Sequence, residues 1–421
     1  MIKHILKIIW NERKTNSWII IEYVLVFCIL WFCCDYLYYI GKSYFEPLGF
    51  DISNTYSIQM KGDYNEYQNL TVDERYSNYI TLMERVKQYP GVEYLSISSA
   101  SMPYSNATAG ASYFLNSDTT TKLSFRLRRV SSEFFDVFKI KLTKGKSFDT
   151  TDPFSQNQVI ISPDRNGHFG DPGKMSYPVY EVDSLGTGNN ELPFRFVIGV
   201  TEKLKSKFYE PYSNTIFRPF NKASYHIGGE IAIRVKPNAA KGFEERFKND
   251  MKNRLSIGSF VFSDITSIKK MQKEYTKKAG ITNNLNSVYS ITSFLIINIF
   301  LGIIGTFWYR TESRKSEVGL RIALGSSKRK IKTFLYTETI FLLLISAFIG
   351  VNICINIGQT DLLSALGIPQ ANHALIGSGI EQYFINSGLT FLFLAVISLL
   401  AVWYPARQSS NMQSADALHE E

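Results

Sequence analysis

The middle of this 421-residue chain has no cysteine: all four, Cys28, Cys33, Cys34 and Cys354, sit inside apolar runs toward the two ends. That excludes a disulfide framework in the polar middle segment and any Cys-x-x-Cys metal site. Each thiol reads instead as a small apolar residue of a membrane helix. Histidine is scarce, with five spread along the chain and no His-Glu-x-x-His pair, so neither a metal cluster nor a zinc hydrolase is expected. A glycine-rich phosphate loop is also missing. The nearest approach, Gly145-Lys146-Ser147, has Ile140 where the first glycine would stand, and reads as a surface turn. No internal repeat or low-complexity linker occurs. No catalytic residue, metal site or cofactor is therefore expected, and the chain is not expected to be an enzyme.

Four long apolar runs are present, at 18–40, 288–309, 334–357 and 384–404. Each supplies the roughly 20 residues that cross a hydrocarbon layer of about 30 Å. The first is too long for a cleaved signal peptide and is followed by Tyr36, Tyr38 and Tyr39 rather than a small-residue cleavage site. Those tyrosines suit an interfacial aromatic belt. The formal net charge of +9 is concentrated beside the runs. Arg13 and Lys14 precede the first. Arg310, Arg314, Lys315, Arg321, Lys328, Arg329, Lys330 and Lys332 separate the second from the third, whereas 358–383 has no Lys or Arg. The positive-inside rule then puts residue 1, the 310–333 segment and the 405–421 tail in the cytoplasm, and 41–287 with the 358–383 loop outside. Basic charge placed this way is a topology signal, and no nucleic-acid partner is expected. Ile2, Ile5, Leu6, Ile9 and Trp10 recur at helical spacing with Lys3, His4 and Lys7 between them, so 1–17 reads as an amphipathic helix lying on lipid.

The 41–287 segment is polar, aromatic-rich and mixed in pattern. Thr71 with Glu74 forms a capping box that opens a helix carrying Ile80, Met83 and Val86 on one face. Strand patterns follow at 92–98, 123–130, 159–162, 194–200 and 230–235. Phe243, Phe247 and Met251 mark a second helix over 239–255. The charged 264–287 stretch reads as a helix running on into the second membrane run. The fold class is thus an α-helical membrane domain of four transmembrane helices plus an α+β extracytoplasmic domain.

Three stretches resemble the FtsX-like permease family, the MacB type of ABC transporter membrane subunit with its periplasmic core domain. One runs from Arg314-Lys315-Ser-Glu317-Val-Gly319-Leu-Arg321 to Ala-Leu-Gly325. Another is Tyr404-Pro405-Ala406-Arg407 with Ala415-Asp416-Ala417-Leu418, a partial match, since Ser414 and Asp416 stand in the first and third places of the family's Pro-Ala-Glu-Ala-Leu. The third, Arg129 to Phe148 with Phe134, Phe135 and Phe138, is similar to the start of the second half of a MacB-type core. The resemblance implies a permease in the bacterial inner membrane. It would couple ATP hydrolysis by a separate ABC ATPase chain to conformational change outside, as a homo- or heterodimer, in export of peptides, lipoproteins, toxins or drugs. A MacB-type exporter would also need a periplasmic adaptor and an outer-membrane protein. Arg314, Lys315, Glu317, Gly319, Arg321 and Gly325 would form the ATPase contact; Glu317 and Arg321, four apart, share a helix face and can pair with each other or with the partner. Rival readings are a lipoprotein-extraction permease like the LolC and LolE subunits, an FtsX-like regulator of cell-wall hydrolases and a peptide sensor.

Three acids lie within the apolar runs: Glu22, Asp35 and Glu338. Burying a charge in lipid is costly, so each needs a reason. Glu22 and Asp35, near opposite ends of the first run, read as snorkelling to the interfaces. Glu338, about one turn inside the third run, reads as a packing or hydrogen-bonding group between helices.

Overall fold

The computed structural model describes residues 9, 11, 13–62, 64–105, 107–115, 118–149, 157–163, 178–181, 194–210, 212–220, 229–313, 315–324, 326–358 and 379–411. The chain divides into two compact units, residues 1–42 with 281–421, and residues 43–280.

The first unit is built on four long helices, α1 (Arg13–Phe45), α7 (Ile281–Ser313), α9 (Lys328–Gly358) and α10 (Gly379–Ser410), with a short helix α8 (Lys315–Ala323) between α7 and α9. All four are long and apolar enough to cross a membrane. At 33 residues α1 is about 50 Å long, well beyond a bilayer's hydrocarbon thickness. A helix is the natural spanning form because its backbone polar groups pair within the segment. The helices meet around buried Phe27, Leu30, Trp31, Ile299, Ile303, Leu342, Leu343, Leu394 and Val402. Small residues permit close approach: a Cβ on Gly350 of α9 would lie 2.6 Å from the Phe27 ring of α1. Trp31 Nε1 donates to Ser387 Oγ of α10 (3.1 Å), and Tyr23 OH to Ser398 Oγ (2.9 Å). The amphipathic helix expected over 1–17 and the 358–383 loop fall largely outside the described residues.

The second unit is a continuous sheet of twelve strands in two parts. One part is antiparallel, in the order β11 (Ser256–Ile257), β12 (Phe260–Ser267), β1 (Thr55–Lys61), β10 (Glu230–Val235), β2 (Val92–Ser99). On one face pack α3 (Val72–Lys87) and α5 (Phe243–Met251). A six-residue helix, α2 (Tyr64–Asn69), precedes α3. The Thr71–Glu74 capping box is formed, and α3 buries Tyr79, Leu82, Met83 and Val86 against Ile58, Ile231 and Ile233. Arg234 is buried on the opposite face and makes four hydrogen bonds there. It donates to Val137 O (2.6 Å), Asp51 O (2.8 Å) and Ser53 O (2.9 Å), and pairs with the Asp51 carboxylate at 3.3 Å. Buried charge is tolerated when its donors are met by carbonyls and a counter-ion in this way.

The other part closes on itself. Strands β4 (Asp118–Val130), β3 (Ala109–Leu115), β7 (Pro178–Glu181), β8 (Phe194–Thr201), β6 (Gln158–Ile161) and β9 (Thr215–Pro219) pair in turn, and β9 returns to β4 in parallel register from Arg126↔Thr215 to Val130↔Pro219. Closure removes the unpaired edges that a flat sheet would expose. Inside lie Tyr113, Phe125, Leu127, Val159, Ile161, Val197 and Ile216. A short helix α4 (Phe134–Val137) buries Phe134 and Val137 with Phe138, Phe217 and Ala232 at the seam of the two parts. β5 (Leu142–Gly145) adds to the end of β8.

One expectation is corrected here. Residues 264–287 do not form one helix running into the second membrane span. Residues 264–267 belong to strand β12, and α6 (Ile268–Lys278) is separated from α7 by Gly280 at φ +75°. A glycine in the left-handed region ends a helix because it carries no Cβ to clash there. The charged residues end at Lys278, just ahead of Gly280, and that glycine is the one local signal of the break.

Candidate functional site

α8 bridges α7 and α9 and carries the residues expected to meet an ATPase. Its backbone is helical from Lys315, so Lys315, Glu317, Gly319 and Arg321 all lie on it. Gly319 is buried; Arg321 is half-buried, with its guanidinium carbon 4.7 Å from the centroid of the Phe334 ring on α9. That cation–π contact ties the end of α8 to the next membrane helix. Arg314, Gly325 and the side chains of Lys315 and Glu317 lie outside the described residues, and so does the expected Glu317–Arg321 pairing. Leu320 and Leu324 are 53% and 78% exposed, so the segment presents apolar as well as basic groups.

The membrane unit also contains a charged network that joins α1, α7 and α9. Glu338 of α9 is 1% exposed and its Oε1 lies 3.4 Å from Arg310 Nη1, near the end of α7. Arg310 Nη2 donates to Asn16 Oδ1 of α1, and Asn16 Nδ2 donates to Ile9 O at 2.8 Å. Three helices are thus joined by buried side chains near the two ends of the 310–333 segment. In a low-dielectric interior such a pair persists because each ion compensates the other's lost hydration.

The two other acids turn inward. Asp35 is 5% exposed and accepts a hydrogen bond from Asn386 Nδ2 of α10. Glu22 is half-buried, with its carboxylate against Gly302 of α7. For Asp35 a contact between helices stands where snorkelling is expected, because a membrane helix can satisfy a polar side chain through its neighbours as well as through the interface. Arg310, Asn16 and Asn386 were not singled out in the sequence. Arg310 counted there as a topology charge, and the available signal was its place on the last turn of a span with Glu338 early in the next. Among the described residues no three metal-ligating side chains converge.

Comparison with known proteins adds the following. Residues 289–414 match the FtsX-like permease C-terminal family and residues 42–249 the MacB-like periplasmic core domain. A probable export ATP-binding/permease protein of Pseudomonas fluorescens is 26% identical over 308 residues, covering 70% of this chain and 43% of the relative. The probable syringafactin export ATP-binding/permease protein SyfD of Pseudomonas syringae is 25% identical, covering 70% and 42%. The macrolide export ATP-binding/permease protein MacB of Neisseria meningitidis is 23% identical, covering 72% and 44%. The chain therefore spans less than half the length of these curated relatives. Among solved structures, the periplasmic region of MacB from Actinobacillus actinomycetemcomitans aligns with a TM-score of 0.32 at 13% identity, covering 55% of this chain and 96% of that one.

Proposed function

The chain belongs to the FtsX-like permeases of ABC transporters that carry a MacB-like periplasmic core domain, and on that premise we propose that it couples an ATP-binding partner to movement of the 43–280 unit outside the inner membrane. The observation that carries the reading is α8. It is a short helix with exposed Leu320, followed at once by exposed Leu324, in a basic segment set between two membrane helices and tied to the second of them by Arg321 over the Phe334 ring. A segment of this kind offers a partner both charge and apolar surface, and its attachment to the next helix suits the transfer of force rather than the passage of solute. The ATPase is a separate chain in this reading, and the permease works as a dimer. The relatives named for macrolide and syringafactin export support export of peptides, lipoproteins, toxins or drugs from the outer side of the membrane; an adaptor and an outer-membrane protein would complete such an exporter.

The decisive experiment is gentle-detergent purification of the full chain from its native membrane. An ATP-binding chain recovered near one-to-one is expected, and Glu317→Lys should remove it. Absence of any such chain from the wild-type preparation would overturn the reading. The orientation rests on the eight basic residues of 310–333 against none in 358–383. In a cysteine-free background, Lys144→Cys should react with an impermeant thiol reagent from outside and Lys330→Cys only after permeabilisation; the reverse pattern would invert the topology.

A further inference from the structure

The chain enters the 43–280 unit at Ser43 and leaves it at Gly280. Both passages are held by one small hairpin that follows β8. A bridge between Lys205 and Tyr212 closes it, and Ser213 N–H donates to Leu204 O at 3.1 Å.

On the entry side the hairpin grips the end of α1. Lys205 is fully buried. Its ammonium donates to Ser43 O (2.9 Å), in the last turn of α1, and pairs with Glu46 Oε2 at 2.7 Å. Carbonyls at a helix C-terminus have no partner within the helix, and a cation there also meets the negative end of the helix dipole. The backbone joins in: Lys205 N–H donates to Leu48 O (3.0 Å) and Tyr212 OH to Pro47 O (3.0 Å). Phe208 packs edge-on against Tyr44 at 5.8 Å. Four successive residues after α1, from Glu46 to Gly49, run against this one hairpin, with Gly49 (φ +78°) lying directly on Lys203 O.

On the exit side the same hairpin holds α6, two residues before α7. Lys207 Nζ donates to Tyr275 OH (2.5 Å) and lies 4.4 Å from the centroid of that ring. Tyr275 also packs against Tyr104 at 6.4 Å, and Gln272 of α6 donates to Tyr104 OH at 2.9 Å. A third attachment reaches the closed ring: Glu210 pairs with Lys207 (3.0 Å) and with Arg126 of β4 (3.7 Å).

We propose that this hairpin is a mechanical clamp, with Lys205 and Lys207 as positioning residues that make the two chain passages and strand β4 move together. The proposal rests on the coupling reading above and adds the parts that would carry the motion into the ring. The physical requirement is stiffness. Gly280 interrupts the helix between α6 and α7, so a rigid rod does not continue through the exit passage. Buried, multiply bonded side chains then supply the stiffness that the backbone lacks there, because an ammonium with no exposure and two acceptors has no other low-energy position.

The test uses the full chain with its co-purified ATP-binding partner in nanodiscs, cysteine-free except for spin labels at Lys87→Cys on α3 and Lys144→Cys on β5. In the parent protein the distance distribution between the labels should shift between the nucleotide-free state and the state trapped with ATP and vanadate. Lys205→Met and Lys207→Met should lose that shift while the complex keeps at least half of its ATP hydrolysis, a split that a merely structural defect would not produce. Glu46→Gln, at a position one-third exposed, keeps the shape of the side chain and removes the same ion pair. It should also lose the shift, and it decides the matter if Lys205→Met fails to fold. An unchanged shift in Glu46→Gln and Lys207→Met would overturn the clamp. No shift in the parent protein would instead overturn the coupling reading itself.

Discussion

Arg310 and Glu338 meet at 3.4 Å with 4% and 1% of their surface exposed. Removing one member of such a pair leaves an uncompensated charge, which typically costs about 3–5 kcal/mol, whereas replacing both with apolar groups of similar size is often neutral. Glu338→Leu is therefore expected to lower the unfolding free energy of the detergent-solubilised chain by about that much, and Arg310→Leu with Glu338→Leu to recover most of the loss. A single substitution costing less than about 1 kcal/mol, within the range of exposed pairs, would show that the pair does not hold these helices together. Part of this was legible beforehand. An acid inside an apolar run asks for a partner, and Glu338 was marked for that reason. Its partner was hidden because Arg310 also reads as a topology charge, and one-dimensional pattern cannot separate the two readings.

At the scale of elements, α10 packs closely on α7 and α9, while α1 meets the other three long helices through its side chains. Helix α1 touches α7 through Glu22 and Gly302, α9 through Phe27 and Gly350, and α10 through Tyr23, Trp31 and Asp35. The glycines report how tight this is. A Cβ at Gly350 would come within 2.6 Å of the Phe27 ring, while one at Gly305 of α7 meets nothing within 4 Å. Gly350→Ala should destabilise the helix unit by about 1–3 kcal/mol through overpacking. Gly305→Ala should be neutral or stabilise by up to about 1 kcal/mol through the better helix propensity of alanine. Thermal unfolding of the two variants side by side checks this, and equal effects would remove the case for a close α1–α9 contact. The capping box of α3 and the Phe243–Phe247–Met251 stripe of α5 were readable because both signals lie within a few residues. The break at Gly280 carries only a weak local signal, a single glycine between lysine-rich residues and the Thr- and Asn-containing residues that open α7.

At the scale of the whole 43–280 unit, several carboxylates have their acidity set by the fold. Burial alone would raise Asp51, but hydrogen bonds from Ser53 and the Arg234 and Lys139 cations outweigh it and leave it below the usual range. Asp264 is lowered chiefly by the Lys248 ammonium at 2.8 Å, and Glu74 by the backbone and hydroxyl of Thr71. Carboxylates of the unfolded chain titrate near pH 4. A group depressed below that value contributes stability that is fully present above about pH 4 and is lost as pH falls through its folded value. The unit is expected to weaken progressively below about pH 4, and Asp51→Asn should flatten that dependence; hydrogen exchange in peptides from 43–280, followed against pH, measures it. An Asp51→Asn profile parallel to the parent's would remove Asp51 from the account.

Four apolar runs, the basic residues crowded beside them, the mixed helix and strand patterns of the middle segment and the family-like stretch around Glu317 are all readable along the chain. Each is a local or compositional property, so the fold class and the permease assignment follow from sequence alone. The closing of β9 onto β4, the Arg310–Glu338 pair and the grip of Lys205 on the end of α1 join residues far apart in the chain, 162 positions in the last case. Contacts of that kind leave no periodicity and no spacing to read. Which charge meets which, and whether an acid turns to its neighbour or to the interface, is decided only when the elements pack, because the cost of burying an ion depends on what surrounds it and not on its place in the sequence.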